Sequence, residues 1–98
     1  HLFQMALRSL NQTRVQLMKR FNPKSRDYRV LKYYWRLYLK DYDSLEKHKP
    51  QWFAHLKDRM THEQLVVAGL NLAQQFRQTY HAAHALVKSF QKRDYRSF

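Results

Sequence analysis

Only one glycine (Gly69) and two prolines (Pro23 and Pro50) interrupt this sequence of 98 residues. Glycine and proline supply most tight turns, so their scarcity favours helices over a turn-rich β fold. Apolar residues recur at steps of three and four over long stretches, which is the period of an α-helix. The sequence therefore predicts an all-α fold, a small helical bundle of three to four helices with a long C-terminal helix.

The first half of the chain predicts two helices. The first covers about 2–20 and stops before Pro23, because proline lacks the N–H that a helix interior needs. Ser25 is a good N-cap for a second helix that runs to about Lys40. A polar loop with one helical turn near Leu45 is expected to follow.

The second half predicts a short third helix over about 51–60 and a longer fourth helix. Thr61 and Gln64 match a capping box, in which each side chain accepts a hydrogen bond from the backbone N–H of the other residue. The fourth helix is expected to continue to about Phe90. Gly69 lies on its apolar stripe, where it either lets another helix approach closely or is simply a tolerated helix glycine.

The chain is strongly basic, with 19 Lys and Arg against 7 Asp and Glu and a formal net charge of +12. Such an imbalance opposes compaction, so it indicates a polyanionic partner such as nucleic acid or an anionic membrane surface. No run of about 18 apolar residues could span a bilayer. The absence of cysteine excludes disulfides and thiolate metal sites, and it fits a reducing cytoplasm.

The second predicted helix carries regularly spaced cations. At about 100° per residue, four of them fall within roughly an 80° arc, with a fifth just outside it. The candidate DNA-binding residues are Arg26, Arg29, Lys32, Arg36 and Lys40. They would form a ridge that contacts successive phosphates, or else the solvated face of a basic protein, and the two interpretations have about equal weight.

Few other residues indicate chemistry. Trp35 and Trp52 are expected in the core, with stacking on an unpaired base as the alternative. His81 and His84 are three residues apart on a predicted helix, but no carboxylate lies at a neighbouring helical position, so we expect no metal site. The sequence contains no Ser/His/Asp order, glycine-rich phosphate loop or cysteine nucleophile, so we assign no catalytic residue.

Several segments together resemble a known family, the insertion-sequence DDE transposases of the third ISL family. The resemblance covers essentially the whole chain and depends on the runs Gln16–Pro23, Tyr28–Lys40, Trp52–Phe53 and Leu65–Leu70. Within the second run, Leu31, Lys32 and Trp35 are fairly specific. The resemblance implies an RNase H-like catalytic domain whose Asp-Asp-Glu triad binds two divalent metals, Mg or Mn, with a helical insertion region before the final Glu.

The residues His1-Leu2-Phe3-Gln4 resemble the end of the family's motif around the second catalytic Asp and the helix that follows. The resemblance therefore implies that the chain lies between the second Asp and the final Glu. Both ends of the sequence also look cut, because the first Met is Met5 and the last residues form no tail. We expect residues 1–98 to form a single helical domain, a fragment of a longer transposase.

No residue can be matched to a member of the triad, so the resemblance implies a chain that is inert alone and holds no cofactor. Its expected function is transposon DNA binding and assembly in DNA transposition, in the bacterial cytoplasm at the nucleoid. The expected partners are transposon-end DNA, the remainder of the catalytic domain and further copies in a homo-oligomer, most simply a dimer through the long helix after Thr61. The alternative is a freestanding basic helical module that binds DNA or RNA.

Overall fold

The computed structural model describes the backbone of residues 2–96 and the side chains of residues 4–89. Five α-helices and one two-stranded antiparallel hairpin are found in this part of the chain. The elements are α1 Leu2–Met18, α2 Arg26–Lys32, α3 Trp35–Leu39, a 3₁₀ turn Tyr42–Ser44, β1 Gln51–Phe53, β2 Asp58–Met60, α4 His62–Leu70 and α5 Gln74–Arg96. The fold is mostly helical, so the all-α prediction is confirmed only in its coarser form.

The long helices α1 and α5 form the most extensive pairing, and α2 packs on both α1 and α4. Their buried apolar side chains belong to one hydrophobic cluster. Its members with the least exposure are Leu10, Leu31, Tyr38, Leu65, Val66, Phe76 and Tyr80. None of the described helices combines the length and the apolar character that crossing a membrane requires.

The predicted second helix is in fact two helices, because the chain leaves helical geometry at Tyr34 (φ −119°, ψ 31°). A helix that ends leaves backbone carbonyl oxygens without intrahelical partners. Two buried side chains take up these carbonyls: Arg14 donates from Nη1 to the oxygen of Leu31, and Tyr38 donates from Oη to that of Val30 at 3.0 Å. Tertiary hydrogen bonds thus replace the local ones at the interruption.

The predicted third helix at 51–60 is wrong, because this segment is the β1–β2 hairpin. The hairpin satisfies its backbone by strand pairing and buries Phe53 and Met60 in the core. Arg26 holds its turn, with Nη1 at 3.2 Å from the carbonyl oxygen of Leu56.

The capping box at Thr61 is confirmed, because Gln64 N–H donates to the Thr61 hydroxyl at 3.1 Å and Thr61 N–H donates to the Gln64 side chain at 2.9 Å. The long fourth helix is not confirmed, since α4 ends at Leu70 and α5 begins at Gln74. In one continuous helix, Leu70 and Phe76 would lie about 120° apart around the axis. The turn between them lets both side chains enter the core.

Gly69 lies against the ring of Tyr38, so the close-approach interpretation is confirmed. A Cβ atom at this position would overlap Tyr38 Oη and would lie 2.7 Å from its Cζ. The ring cannot move aside easily, because Tyr38 is fully buried and hydrogen-bonded. The contact therefore fixes the separation of α3 and α4.

We expect Gly69→Ala to lower the free energy of unfolding by about 2 kcal/mol, because overpacking a buried contact outweighs the helix propensity gained by alanine. Chemical unfolding followed by circular dichroism measures this. Ala68→Gly is the matched control, since Ala68 is exposed in the same helix and should show only the propensity loss of about 1 kcal/mol. An unchanged or higher stability of Gly69→Ala would contradict the tight contact.

Tyr38 and Tyr80 are both buried, but only Tyr38 donates a hydrogen bond within the described residues. We therefore expect Tyr38→Phe to cost about 1–2 kcal/mol of stability, because the Val30 carbonyl loses its partner. Tyr80→Phe should be neutral or stabilising, since it removes an unpaired buried hydroxyl. Equal losses in both variants would contradict this difference.

Burial also raises the pKa of both phenols, that of Tyr80 to about 12. As pH rises, the phenols therefore lose their protons in the unfolded chain before they do so in the folded chain. The contribution of the two tyrosines to the free energy of unfolding is thus complete below about pH 10 and falls as pH rises towards 12. Unfolding measured across this range should show a smaller alkaline loss in Tyr80→Phe than in the parent chain. An identical pH dependence would contradict it.

Candidate nucleic-acid interface

The five basic residues that were predicted on one helix, four of them within one arc and Arg26 just outside it, do not lie on one helix. Arg26, Arg29 and Lys32 belong to α2, Arg36 belongs to α3, and Lys40 is the C-cap of α3. The calculated 80° arc therefore does not apply. Arg29 is half-buried and the other four are exposed.

Arg26 ties α2 to the hairpin. Its Nη2 atom lies 3.0 Å from Asp58 Oδ2, and its Nη1 atom lies 3.2 Å from the carbonyl oxygen of Leu56. Both side chains of the ion pair are about half exposed, so the charge interaction itself stabilises the fold little. The charge of Arg26 is already compensated, which distinguishes it from the cations that follow.

Lys32 and Arg36 lie over aromatic rings. The Lys32 ammonium is 5.5 Å from the ring centre of Tyr28 and 5.4 Å from that of Tyr33. The Arg36 guanidinium carbon is 5.2 Å from the ring centre of Trp35. Such contacts are worth about 0.5–1 kcal/mol at exposed positions, and they orient a cation without neutralising it.

Stacking joins this region to the hairpin turn. The rings of Tyr33 and His55 are 3.7 Å apart and almost parallel, at 5°. The backbone N–H of His55 donates to Tyr34 Oη at 3.1 Å. The Tyr34 ring meets the Phe53 ring edge-on, with 4.9 Å between the ring centres. We use the name basic–aromatic surface for Lys32, Tyr33, Trp35, Arg36 and His55.

The expectation that both tryptophans are core residues is wrong. Trp35 is 38% exposed and Trp52 is 60% exposed. The Arg36 guanidinium lies over the ring of Trp35, whereas Trp52 lies on β1 directly opposite Arg59 of β2. Stacking of either ring on a base stays a prediction.

Sequence reasoning missed Tyr33 and His55 of the basic–aromatic surface. It also missed Tyr28, whose ring lies beside the Lys32 ammonium, and Arg59, which lies opposite Trp52. Tyr33 and His55 are far apart in the sequence, so no local pattern indicates their stacking. The helix predicted over 51–60 gives no sign that Arg59 lies opposite Trp52. The YxxxKY spacing of Tyr28, Lys32 and Tyr33 was the one available signal, because residues four apart on a helix are neighbours.

The ion pairs and backbone hydrogen bonds of the described carboxylates involve groups other than Lys32, Arg36 and Lys40. Lys88 binds Asp41 at 3.6 Å and Asp43 at 3.2 Å, and these two acids raise its pKa. Glu46 accepts the backbone N–H groups of His48 and Lys49, which lowers the pKa of its carboxyl. Among the three ion pairs of the described side chains, none involves Lys32, Arg36 or Lys40.

No metal centre can be built from the described residues, which include no cluster of three His, Asp or Glu side chains. His84 Nε2 lies 2.9 Å from the carbonyl oxygen of Tyr38, so this nitrogen carries the proton and donates it to the backbone. The resemblance assigns the two divalent ions to the catalytic triad, and no residue of this chain is matched to that triad. His1, on which part of that resemblance depends, lies outside the described residues.

Comparison with known protein families finds a match to transposases, and the match extends over residues 1–98. The chain belongs to that family, the DDE transposases of the ISL3 type. The resemblance drawn from the sequence is thereby confirmed. The chain matches no curated protein and no solved structure.

Proposed function

We propose that this chain contributes DNA binding to an ISL3-type transposase, through the basic–aromatic surface together with Lys40. The observation that carries the proposal is the placement of Lys32 and Arg36 over aromatic rings, with no described carboxylate bound to either. Family membership supplies the substrate class, because transposases act on DNA. Membership also favours this function over a freestanding DNA- or RNA-binding module.

The physical argument is one of available charge. A cation in a salt bridge must give up its partner before it binds a phosphate, whereas a cation over an aromatic face keeps its N–H donors for a new acceptor. Phosphate binding also releases condensed counterions, which supplies much of the affinity of basic proteins for DNA. The surface is therefore suited to the DNA backbone, and nothing in it selects a base sequence.

Replacing Lys32, Arg36 and Lys40 by Gln should weaken DNA binding at low salt and flatten its salt dependence. Each lost phosphate contact lowers the slope of log affinity against log salt by about 0.9, so the triple variant should lose up to about 2.7. Fluorescence anisotropy with a labelled duplex over a range of salt concentrations measures both effects. The loss should be similar for duplexes of different sequence.

The matched control replaces Arg8, Lys19 and Arg77 by Gln. These three residues are also exposed and lie on or beside α1 and α5. Their replacement removes the same amount of charge as the first triple variant. If net charge alone governs binding, both triple variants will lose the same slope, and the proposal fails. A selective loss in the first variant, with unchanged helicity, supports it.

We further propose that assembly of the transposase uses the outer face of α1 and α5, with a second copy of the chain as the partner. Two apolar side chains of these helices are exposed, Met5 of α1 and Leu86 of α5. An open groove between the helices is lined by Leu86 and by small residues of both, among them Ala6, Ser9 and Ala82. An exposed apolar face of this kind can pair with its own copy in a two-fold symmetric contact.

The double variant Met5→Gln, Leu86→Gln should therefore shift the chain from dimer to monomer in light scattering at high micromolar concentration. Val67→Gln is the control, because Val67 is a comparably exposed apolar residue on α4. A monomeric parent chain at that concentration would contradict the proposed assembly through α1 and α5.

A further inference from the structure

The two faces of the β1–β2 hairpin differ sharply. The inner face carries Phe53 and Met60, which are buried in the core. The outer face carries the directly paired Trp52 and Arg59, and both are exposed. Because side chains alternate along a strand, the register that buries Phe53 necessarily turns Trp52 outward.

The outward position of Trp52 is held by contacts on both sides of the hairpin. Arg26 binds Asp58 and the carbonyl oxygen of Leu56, and His55 stacks on Tyr33. At the other end, Gln51 Oε1 lies 3.2 Å from His62 Nε2. The hairpin is thus tied to α2, to the α2–α3 junction and to α4, so its outer face is preorganised.

Resting on the proposed DNA binding, we infer that Trp52 and Arg59 form a site for an unpaired DNA base. The indole stacks on the face of the base, and the Arg59 guanidinium binds a neighbouring phosphate. Aromatic rings beside cations are how proteins hold bases that have left the duplex, since every base offers a π-face. A base inside a paired duplex offers no free face, so the site is selective for unpaired DNA.

Charge favours a nucleic acid over a protein segment as the occupant. Arg59 is the cross-strand neighbour of Trp52, and Lys57 is exposed in the adjoining turn. The one carboxylate of the hairpin, Asp58, alternates to the inner face and is bound by Arg26. The outer face therefore presents an aromatic ring and positive charge without a compensating acid.

Trp35 differs from Trp52 in two respects. The guanidinium of Arg36 already lies over its ring, and its exposure is lower. Trp35 is thus placed to orient Arg36 towards phosphates. Its removal is expected to weaken binding to paired and unpaired DNA alike, which makes it a useful comparison.

The test compares a short DNA duplex with the same duplex carrying one bulged thymine, at a fixed salt concentration, for the whole 98-residue chain. Trp52→Ala should weaken binding to the bulged duplex about 10-fold, or about 1.4 kcal/mol, and to the paired duplex less than about 2-fold. Trp52→Phe should keep most of the preference because it keeps an aromatic face. Trp52→Leu should lose it although it keeps apolar bulk. Circular dichroism checks that each variant is folded.

The outcomes distinguish the proposed DNA binding from the proposed base site. A parent chain that binds neither DNA removes the proposed function, and this inference with it. A parent chain that binds both DNAs, with Trp52→Ala and Trp52→Leu behaving like the parent, overturns only the base site. The same holds if Trp52→Ala weakens binding to both DNAs equally, as is expected for Trp35→Ala.

Discussion

The arrangement of the helices depends on one buried side chain, Tyr38. Its hydroxyl donates to the carbonyl oxygen of Val30 in α2, its ring lies against Gly69 of α4, and the same ring meets Phe76 of α5 edge-on at 5.4 Å. Its own carbonyl oxygen accepts a hydrogen bond from His84. A single residue of α3 thus contacts three other helices, and a change in its position would disturb all of them.

The same residue explains why the basic–aromatic surface exists. For Tyr38 to reach back to Val30, the chain must leave helical geometry between α2 and α3, and the freed carbonyl of Leu31 is then bound by Arg14. Arg14 is buried without a described carboxylate partner, so the C-terminal end of α2 supplies the negative pole that its charge requires. The interruption also frees Tyr33 from a regular helix surface, and its ring stacks on the hairpin turn.

This dependence accounts for what the sequence could and could not predict. The Thr61 capping box and the stop before Pro23 are local interactions, and both were predictable from neighbouring residues. The breaks near Tyr34 and after Leu70 depend on partners far along the chain. The helical period of apolar residues continues across both breaks, so it does not indicate them. The 51–60 hairpin was missed because Phe53 and Met60, seven residues apart, fit one face of a helix and also the inner face of a hairpin. Lys32, Trp35 and Arg36 were found as candidates, but Tyr33 and His55, whose stacking joins distant parts of the chain, were not.

The way each cation is held separates structural from available charge in a chain with a formal charge of +12. Where a carboxylate holds the cation, as Asp58 holds Arg26 and Asp43 holds Lys88, the pair joins two elements of the fold. Where an aromatic ring holds it, as at Lys32 and Arg36, the cation is oriented but its charge remains uncompensated. Since the unpaired charges repel one another, they weaken the folded state unless a polyanion binds. Bound DNA would therefore stabilise the chain most where aromatic rings, and not acids, hold the cations, which links the fold around Tyr34 to the function proposed for it.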